Sequence, residues 1–192
     1  WAFVTNYARL DVIFQYGGIY LDTDVELLRS LEPLLKHHAF AGLEFADGVQ
    51  YSIATGLGFG AEPHSPIIRD MRDIYRNMQF LNQDGTENTL TTPAWVTAML
   101  KKRGFVQENR MQEVDGLTVY PTEYFSPKEY QTGRVHITPN TYSIHHYHSS
   151  WKTENELQEL ELRKKYTKLF GKQGGELAYV ARRKIGEKGL LG

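Results

Sequence analysis

The chain contains no cysteine, which removes disulfide frameworks, thiolate metal sites and sulfur redox chemistry together, and fits a reducing compartment. No apolar run approaches the roughly 18 residues that a membrane span needs. No charged-then-apolar leader is visible either, but the chain opens on Trp1 rather than Met and reads as a fragment. Strong net charge is missing too: 22 Lys and Arg against 23 Asp and Glu leave −1 at pH 7. Without a global field, a charged partner has to be met by a local site, and nucleic acid is a poor match. Internal repeats and low-complexity linkers are also absent.

What remains is ordinary for one globular domain: 192 residues, 41% hydrophobic and 23% charged, enough to bury a core. The charge is unevenly spread. From Lys152 onward there are 10 Lys and Arg against 6 Asp and Glu, leaving 12 against 17 for residues 1–151. A basic tail, 152–192, is therefore expected to follow an acidic main domain, 1–151.

TNYARLDVIFQYGG predicts a helix, with Tyr7, Ala8, Leu10, Ile13 and Phe14 at near-helical spacing and a stop at Gly17. Ile19, Tyr20 and Leu21 follow as a short buried strand, so Asp22 arrives at its carboxyl end, where open α/β sheets bind ligands. Residues 27–35 read as a connection ending in a short helix broken by Pro33, and AFAGLEF as a second strand. TGLGFG, Thr55 to Gly60, carries three glycines in five residues, which allows either a close backbone approach to something or a bulged strand.

Behind Pro66, the set Ile67, Met71, Ile74, Tyr75 and Met78 follows a 3.6 period. Thr92 and Pro93 read as N-cap and first turn of another helix, with an apolar stripe of Val96, Met99 and Leu100 and a stop at Gly104. Residues 117–120 and 142–146 read as strands. Thr153 and Glu156 form a capping box that opens a helix with glutamates first and Lys and Arg last, as the helix dipole prefers. Helices alternating with short apolar strands predict α/β architecture.

The stretch GGIYLDTDVE holds two aspartates one residue apart just after the apolar run. Such a pair can bind a hard divalent cation, which prefers several oxygen ligands and relieves their mutual repulsion. The plainer reading is one Asp capping a turn and the other solvated. An EF-hand loop counted from Asp22 needs Gly and Glu where Leu27 and Pro33 stand, so that reading fails. A haloacid-dehalogenase-type phosphatase wants Thr or Val where Glu26 stands and survives only as an alternative. The third reading is a cation that bridges the diphosphate of a nucleotide sugar and screens charge on the leaving group.

The ordered set YARLDVIFQYGGIYLDTDVE, GLGFGAEPHSP, the TP-opened helix, YFSP and HHYHSSW resembles glycosyltransferase family 32, the group of yeast initiating mannosyltransferases and many bacterial capsular and lipopolysaccharide sugar transferases. The resemblance runs from Trp1 to about Trp151. It implies a GT-A type, Rossmann-like nucleotide-diphospho-sugar transferase fold, here lacking its N-terminal βαβ portion. It also implies a nucleotide-sugar donor, Mn²⁺ or Mg²⁺, and transfer of a hexosyl unit, with retention, to a growing polysaccharide or lipid-linked glycan.

By resemblance, Asp24 binds the metal directly while Asp22 reaches the donor ribose, or the metal through water. Arg9 then contacts the donor sugar or phosphates and completes the catalytic set, and Tyr20 joins the donor-binding residues. The clostridial glucosylating toxins, more distant relatives, end their site with a metal-ligating acid, a serine three residues on and a tryptophan two further. His146, Ser149 and Trp151 stand at that spacing. The likeness therefore implies that His146 completes the metal site, that Ser149 assists it and that Trp151 lies over the diphosphate. Asn6 stands where the family carries an Asp facing sugar hydroxyls, and still offers an acceptor beside its donors.

Plainer roles stand beside these. By strand alternation His146 and His148 share a face and His145 opposes them, and such a trio is often only a satisfied group. Residues 55–60 shape the acceptor side or simply pack. Glu44, Asp47, Asp70 and Asp73 are acid–base candidates by type, though the last two read as the solvated face of a helix. The location expected is cytoplasmic. Lys164, Lys165, Arg182, Arg183 and Lys184 offer peripheral contact with anionic lipid at the inner membrane face, or make a solvated helix balanced by its own glutamates. A rival function from another class is a non-catalytic nucleotide-sugar or carbohydrate-binding module, which Asn6 favours.

Overall fold

The computed structural model describes residues 2–45, 49–78, 91–148 and 153–189. They fall into two units, Trp1–Lys128 with His136–His146, and Glu129–Val135 with Tyr147–Gly192.

In the first unit, α1 (Ala2–Tyr16) buries Leu10 and Ile13. It ends where the glycine pattern places its stop: Gly17 has φ of 69° and its N–H donates to the Ile13 carbonyl at 2.8 Å. A Cβ at Gly17 would lie 2.7 Å from the Pro63 ring, so glycine is needed for space as well as for φ. Then come β1 (Gly18–Tyr20), β2 (Val25–Leu27), a 3₁₀ turn Glu32–Lys36 with Pro33 in its first turn, β3 (Ala39–Glu44) and β4 (Ser52–Ala61). They are followed by α2 (Pro66–Asp73), a 3₁₀ turn Tyr75–Asn77, α3 (Thr92–Lys101), β5 (Gln112–Val114), β6 (Leu117–Tyr120), α4 (Thr122–Phe125) and β7 (Ser143–His145).

Five strands form one sheet in the order β1-β4-β3-β6-β5, with β3 and β6 parallel and the other neighbours antiparallel. The strands β2 and β7 form a separate antiparallel ribbon. It follows that β1, β3 and β6 run the same way and that their carboxyl ends share one edge, the ligand-binding edge of such sheets. This is the mixed, Rossmann-like α/β architecture expected of a GT-A type fold. Leu10 and Ile13 of α1, Ile67, Ile68 and Met71 of α2, and Val96 and Leu100 of α3 close over Leu43, Phe59, Leu117 and Val119 of the sheet. Each such side chain, fully buried, contributes about 1.5–3 kcal/mol, and β1 is attached to this core through its pairing with β4 and the packing of Tyr20.

Some local expectations shift. The cap of α3 is Thr91, because Thr92 is already helical and buried with its hydroxyl 2.6 Å from the Tyr75 hydroxyl. Asp70 and Asp73 are not a solvated face: Asp70 pairs with Arg69 and Arg103, and Asp73 with Arg72 and Arg76.

In the second unit, α5 (Glu154–Gly189) opens on the capping box, with the Thr153 N–H donating to Glu156 Oε2 at 2.8 Å. The helix breaks at Gly171, whose φ of 71° and ψ of 176° are not helical. Its two segments fold back on each other. A Cβ at Gly175 would stand 2.6 Å from the Thr167 backbone, and the Arg163 guanidinium lies 4.5 Å over the Tyr179 ring. Thr167 and Gly175 are equidistant from Gly171, as are Arg163 and Tyr179, so the segments form an antiparallel helical hairpin with Gly171 at its turn. No helix among the described residues is long and apolar enough to cross a membrane.

Candidate metal centre

The acidic turn begins where β1 runs out. The Val25 N–H donates to the Asp22 carbonyl at 3.1 Å, closing a tight turn with Thr23 and Asp24 at its centre. Beyond the turn, β2 pairs with β7 in a register that sets Val25 opposite His145, and the His146 N–H donates to the Asp24 carbonyl at 2.9 Å. This pairing brings together residues more than a hundred positions apart. His145 Nε2 lies 3.1 Å from Asp24 Oδ1 and 3.9 Å from Asp22 Oδ2. One ligand atom from each of Asp22, Asp24 and His145 falls within 4.8 Å of the others.

The Asp22 carboxylate is held by its other oxygen. Oδ1 accepts from Arg9 Nη1 at 3.0 Å and from the Tyr20 hydroxyl at 2.8 Å, while the Arg9 guanidinium lies 4.6 Å over the Tyr20 ring. Oδ2 is thereby left facing His145. Burial, with smaller contributions from Asp22 and Asp24 and against the pull of Arg9, pushes the Tyr20 hydroxyl up to about 12, so it stays a donor. Burial also lowers the pKa of His145 against the opposing pull of Asp24 and Asp22. The neutral ring is the form that can ligate a metal.

The glycine-rich stretch supplies the floor. Between Ala41 and Gly42 the pairing of β3 jumps from Phe59 to Ala54, so residues 55–58 bulge out of β4. The bulge delivers the Gly56 carbonyl to the Asp22 N–H at 3.0 Å. A Cβ on Gly56 would sit 2.2 Å from Asp22 Oδ2. Of the two readings open for TGLGFG, both hold: the strand is bulged, and the close approach it permits is to the Asp22 carboxylate.

Among the residues expected from sequence, Asp22, Asp24, Arg9 and Tyr20 are brought together. Asn6 is half-buried on α1, one turn before Arg9 and on the same side. His146 is not in the cluster: its Nε2 lies 2.8 Å from Glu26 Oε2, and its carbonyl accepts from Lys128 Nζ at 3.0 Å. The reason is the pleat. His146 and Glu26 are diagonal neighbours on one face of the β2–β7 ribbon, His145 points to the other, and Asp24 sits in a turn that frees its carboxylate to follow His145. Ser149 and Trp151 lie outside the described residues. Sequence reasoning placed His145 correctly opposite His146 but chose the wrong one of the two faces for the turn.

Two carboxylates and a neutral imidazole are a donor set that could hold a divalent cation, with two oxygen ligands and one nitrogen. Residues 2–41 match the family model of a glycosyltransferase sugar-binding region containing DXD motif, the stretch that holds Asn6, Arg9, Tyr20 and both aspartates. The match is to that region and does not single out family 32. No curated protein and no solved structure matches the chain. The part of the chain from α1 into β3 is thus similar to the DXD sugar-binding region of glycosyltransferases, and its DXD pair is the pair that meets His145.

Proposed function

We propose that this chain carries the donor site of a metal-dependent glycosyltransferase that moves a hexosyl unit from a nucleotide sugar to a polysaccharide or glycan acceptor, with retention of configuration. The observation that carries the reading is the Asp22–Asp24–His145 cluster, formed inside a stretch similar to a DXD sugar-binding region. Asp24 and His145 would hold the cation, with Asp22 Oδ2 as third ligand or through water. The imidazole favours Mn²⁺ over Mg²⁺. When bound, the cation supplies charge stabilisation for the departing nucleoside diphosphate.

The remaining tasks belong to the chain. Arg9 fixes Asp22 through Oδ1 and lies over the Tyr20 ring, and its remaining guanidinium N–H groups would meet the sugar or phosphates. Asn6, a turn away, meets a sugar hydroxyl. Tyr20 locks the carboxylate from below. Ser149 and Trp151 keep the roles their likeness implies, beside and over the diphosphate.

The test is a nucleotide-sugar screen that measures release of nucleoside diphosphate with and without Mn²⁺. Turnover of at least one donor, abolished by chelation and by Asp24→Asn, is expected. Turnover indifferent to both would sink the metal role. Asn6 in the place of an acid favours one second reading, a module that binds the donor without turning it over. Tight Mn²⁺-dependent donor binding with no diphosphate released across the screen would decide for it.

A further inference from the structure

The hairpin of the second unit ends in a surface that no step of the proposed chemistry uses. Just before its turn at Gly171, Leu169 is 65% and Phe170 58% exposed, two large apolar side chains side by side at the apex. Lys165 and Lys168 are exposed beside them, and the run KYTKLFGK, 165–172, contains three lysines and no acid. Along the hairpin legs charges are matched instead: Lys164 with Glu161 at 2.8 Å, and Arg163 with Glu176 at 3.5 Å. Leu177 and Val180 are exposed on the second leg as well, at 73% and 38%, but Glu176 stands beside them, whereas the apex sets its apolar pair in a run of like charge.

The geometry explains why these side chains stay outside. Gly175 lets the two segments approach at backbone distance, so the residues facing inward, Tyr179 among them at 3% exposed, fill the space between the legs. Leu169 and Phe170 lie one turn further along, where the chain reverses and no facing segment among the described residues covers them. Exposed apolar pairs ringed by cations match one environment in particular, an anionic bilayer surface, where the apolar tip enters the acyl boundary while the ammonium groups stay at the headgroups. Binding of this kind grows with buried apolar area and with electrostatic attraction to anionic lipid, and both contributions are present within a few residues.

We propose that the apex of this hairpin is a peripheral membrane-docking tip for anionic phospholipid. The surface is independent of the metal centre: loss of either leaves the other standing. Vesicles of phosphatidylcholine with and without phosphatidylserine, co-sedimented with the full chain, provide the test. Binding is expected only to the anionic vesicles and falls as salt is raised. Lys165→Glu with Lys168→Glu, or Leu169→Ser with Phe170→Ser, lowers it by roughly tenfold or more, with helical circular dichroism unchanged because all four side chains are exposed.

The absence of cysteine gives a second measurement. A single Phe170→Cys chain, labelled with a polarity-sensitive dye, shows a blue shift on anionic vesicles, whereas a label at Leu35→Cys, also exposed but in the first unit, does not. Equal shifts at both positions, sedimentation indifferent to the tip substitutions, or no binding to either vesicle overturns the proposal. The last outcome would leave the apex to a protein partner.

Discussion

The β2–β7 ribbon carries two carboxylate–histidine pairs, one on each face. Asp24 and His145 approach to 3.1 Å and Glu26 and His146 to 2.8 Å, so distance alone favours the second pair. Exposure reverses the ranking: the first pair's side chains are 16% and 12% exposed, the second's 53% and 31%. Water screens the outer pair, and an exposed ion pair of this kind is worth about 0–1 kcal/mol. The inner pair has lost most of its water and has a second acid, Asp22, on the same side. Two acids converging on one imidazole in a mostly dry pocket, with Arg9 engaging only the outer oxygen of Asp22, form a candidate cation site, whereas an exposed surface pair does not. A metal centre is thus recognised by what surrounds its ligands rather than by the shortest contact.

The sharpest way to break this contrast is to neutralise one acid on each face. Asp24→Asn is expected to weaken Mn²⁺ binding by roughly 100-fold or more, since even residues that only support a ligand cost about 10–100-fold. Glu26→Gln should stay within about fivefold of wild type. Calorimetric titration of Mn²⁺ into each chain measures both, and equal losses would erase the distinction between the faces. The histidines give the next largest effect. His145→Gln should lower Mn²⁺ affinity by about 10–100-fold and remove imidazole nitrogen coupling from the Mn²⁺ spin-echo spectrum, while His146→Gln leaves that coupling in place. Coupling lost in the second variant and retained in the first would restore His146 as the ligand.

A third substitution sharpens the comparison from below. Gly56→Ala adds a Cβ that would meet Asp22 Oδ2 at 2.2 Å, with Arg9 Nη1 at 3.5 Å behind it. The carboxylate must swing off Arg9 or the bulge must move. Overpacking of this kind typically costs about 1–3 kcal/mol. The predicted result is a lower urea midpoint together with roughly tenfold weaker Mn²⁺ binding, whereas alanine at solvent-facing Gly116 lowers the midpoint through its φ of 77° and spares the metal. A Gly56→Ala chain that binds Mn²⁺ normally would show that Asp22 has room to spare.

Much of this was legible beforehand because it is local. A helix stop at Gly17, a short apolar run into Asp22, and the Thr153–Glu156 box each depend on neighbours within one turn, and each appears in the structure. The strands β2 and β5, three residues each, show no period long enough to read and exist because a distant partner pairs with them. The choice between His145 and His146 failed for the same reason. Alternation puts the two rings on opposite faces, but which face meets the aspartates depends on the β2–β7 register and on a turn that takes Asp24 out of the pleat. The purpose of Gly56 was hidden as well, since a glycine's value lies in the side chain that occupies its empty space, here a carboxylate thirty-odd positions earlier.

A third histidine tests how far burial sets such a ring's charge when no carboxylate is hydrogen-bonded to it. His37 Nε2 lies 2.7 Å from the Tyr120 hydroxyl and Nδ1 3.0 Å from Thr118 Oγ1, so both nitrogens are engaged by neutral partners. Burial first, then Lys36, lowers its pKa below the ordinary 6.5, with Glu113 opposing weakly. Tyr120, pushed up to about 12 by burial and its tyrosine neighbours, stays a neutral hydroxyl throughout. The native state then binds fewer protons than the unfolded chain just below pH 6.5, so stability is full above that value and declines as pH falls toward the folded pKa. Urea midpoints measured from about pH 7.5 down to about pH 5 should therefore decline, and His37→Gln should flatten part of that decline while leaving the value at neutral pH slightly lower. The effect is small beside those at the metal centre, because hydroxyls hold the neutral ring without the field of two carboxylates. An unaltered slope in His37→Gln would show that His37 does not carry the pH dependence.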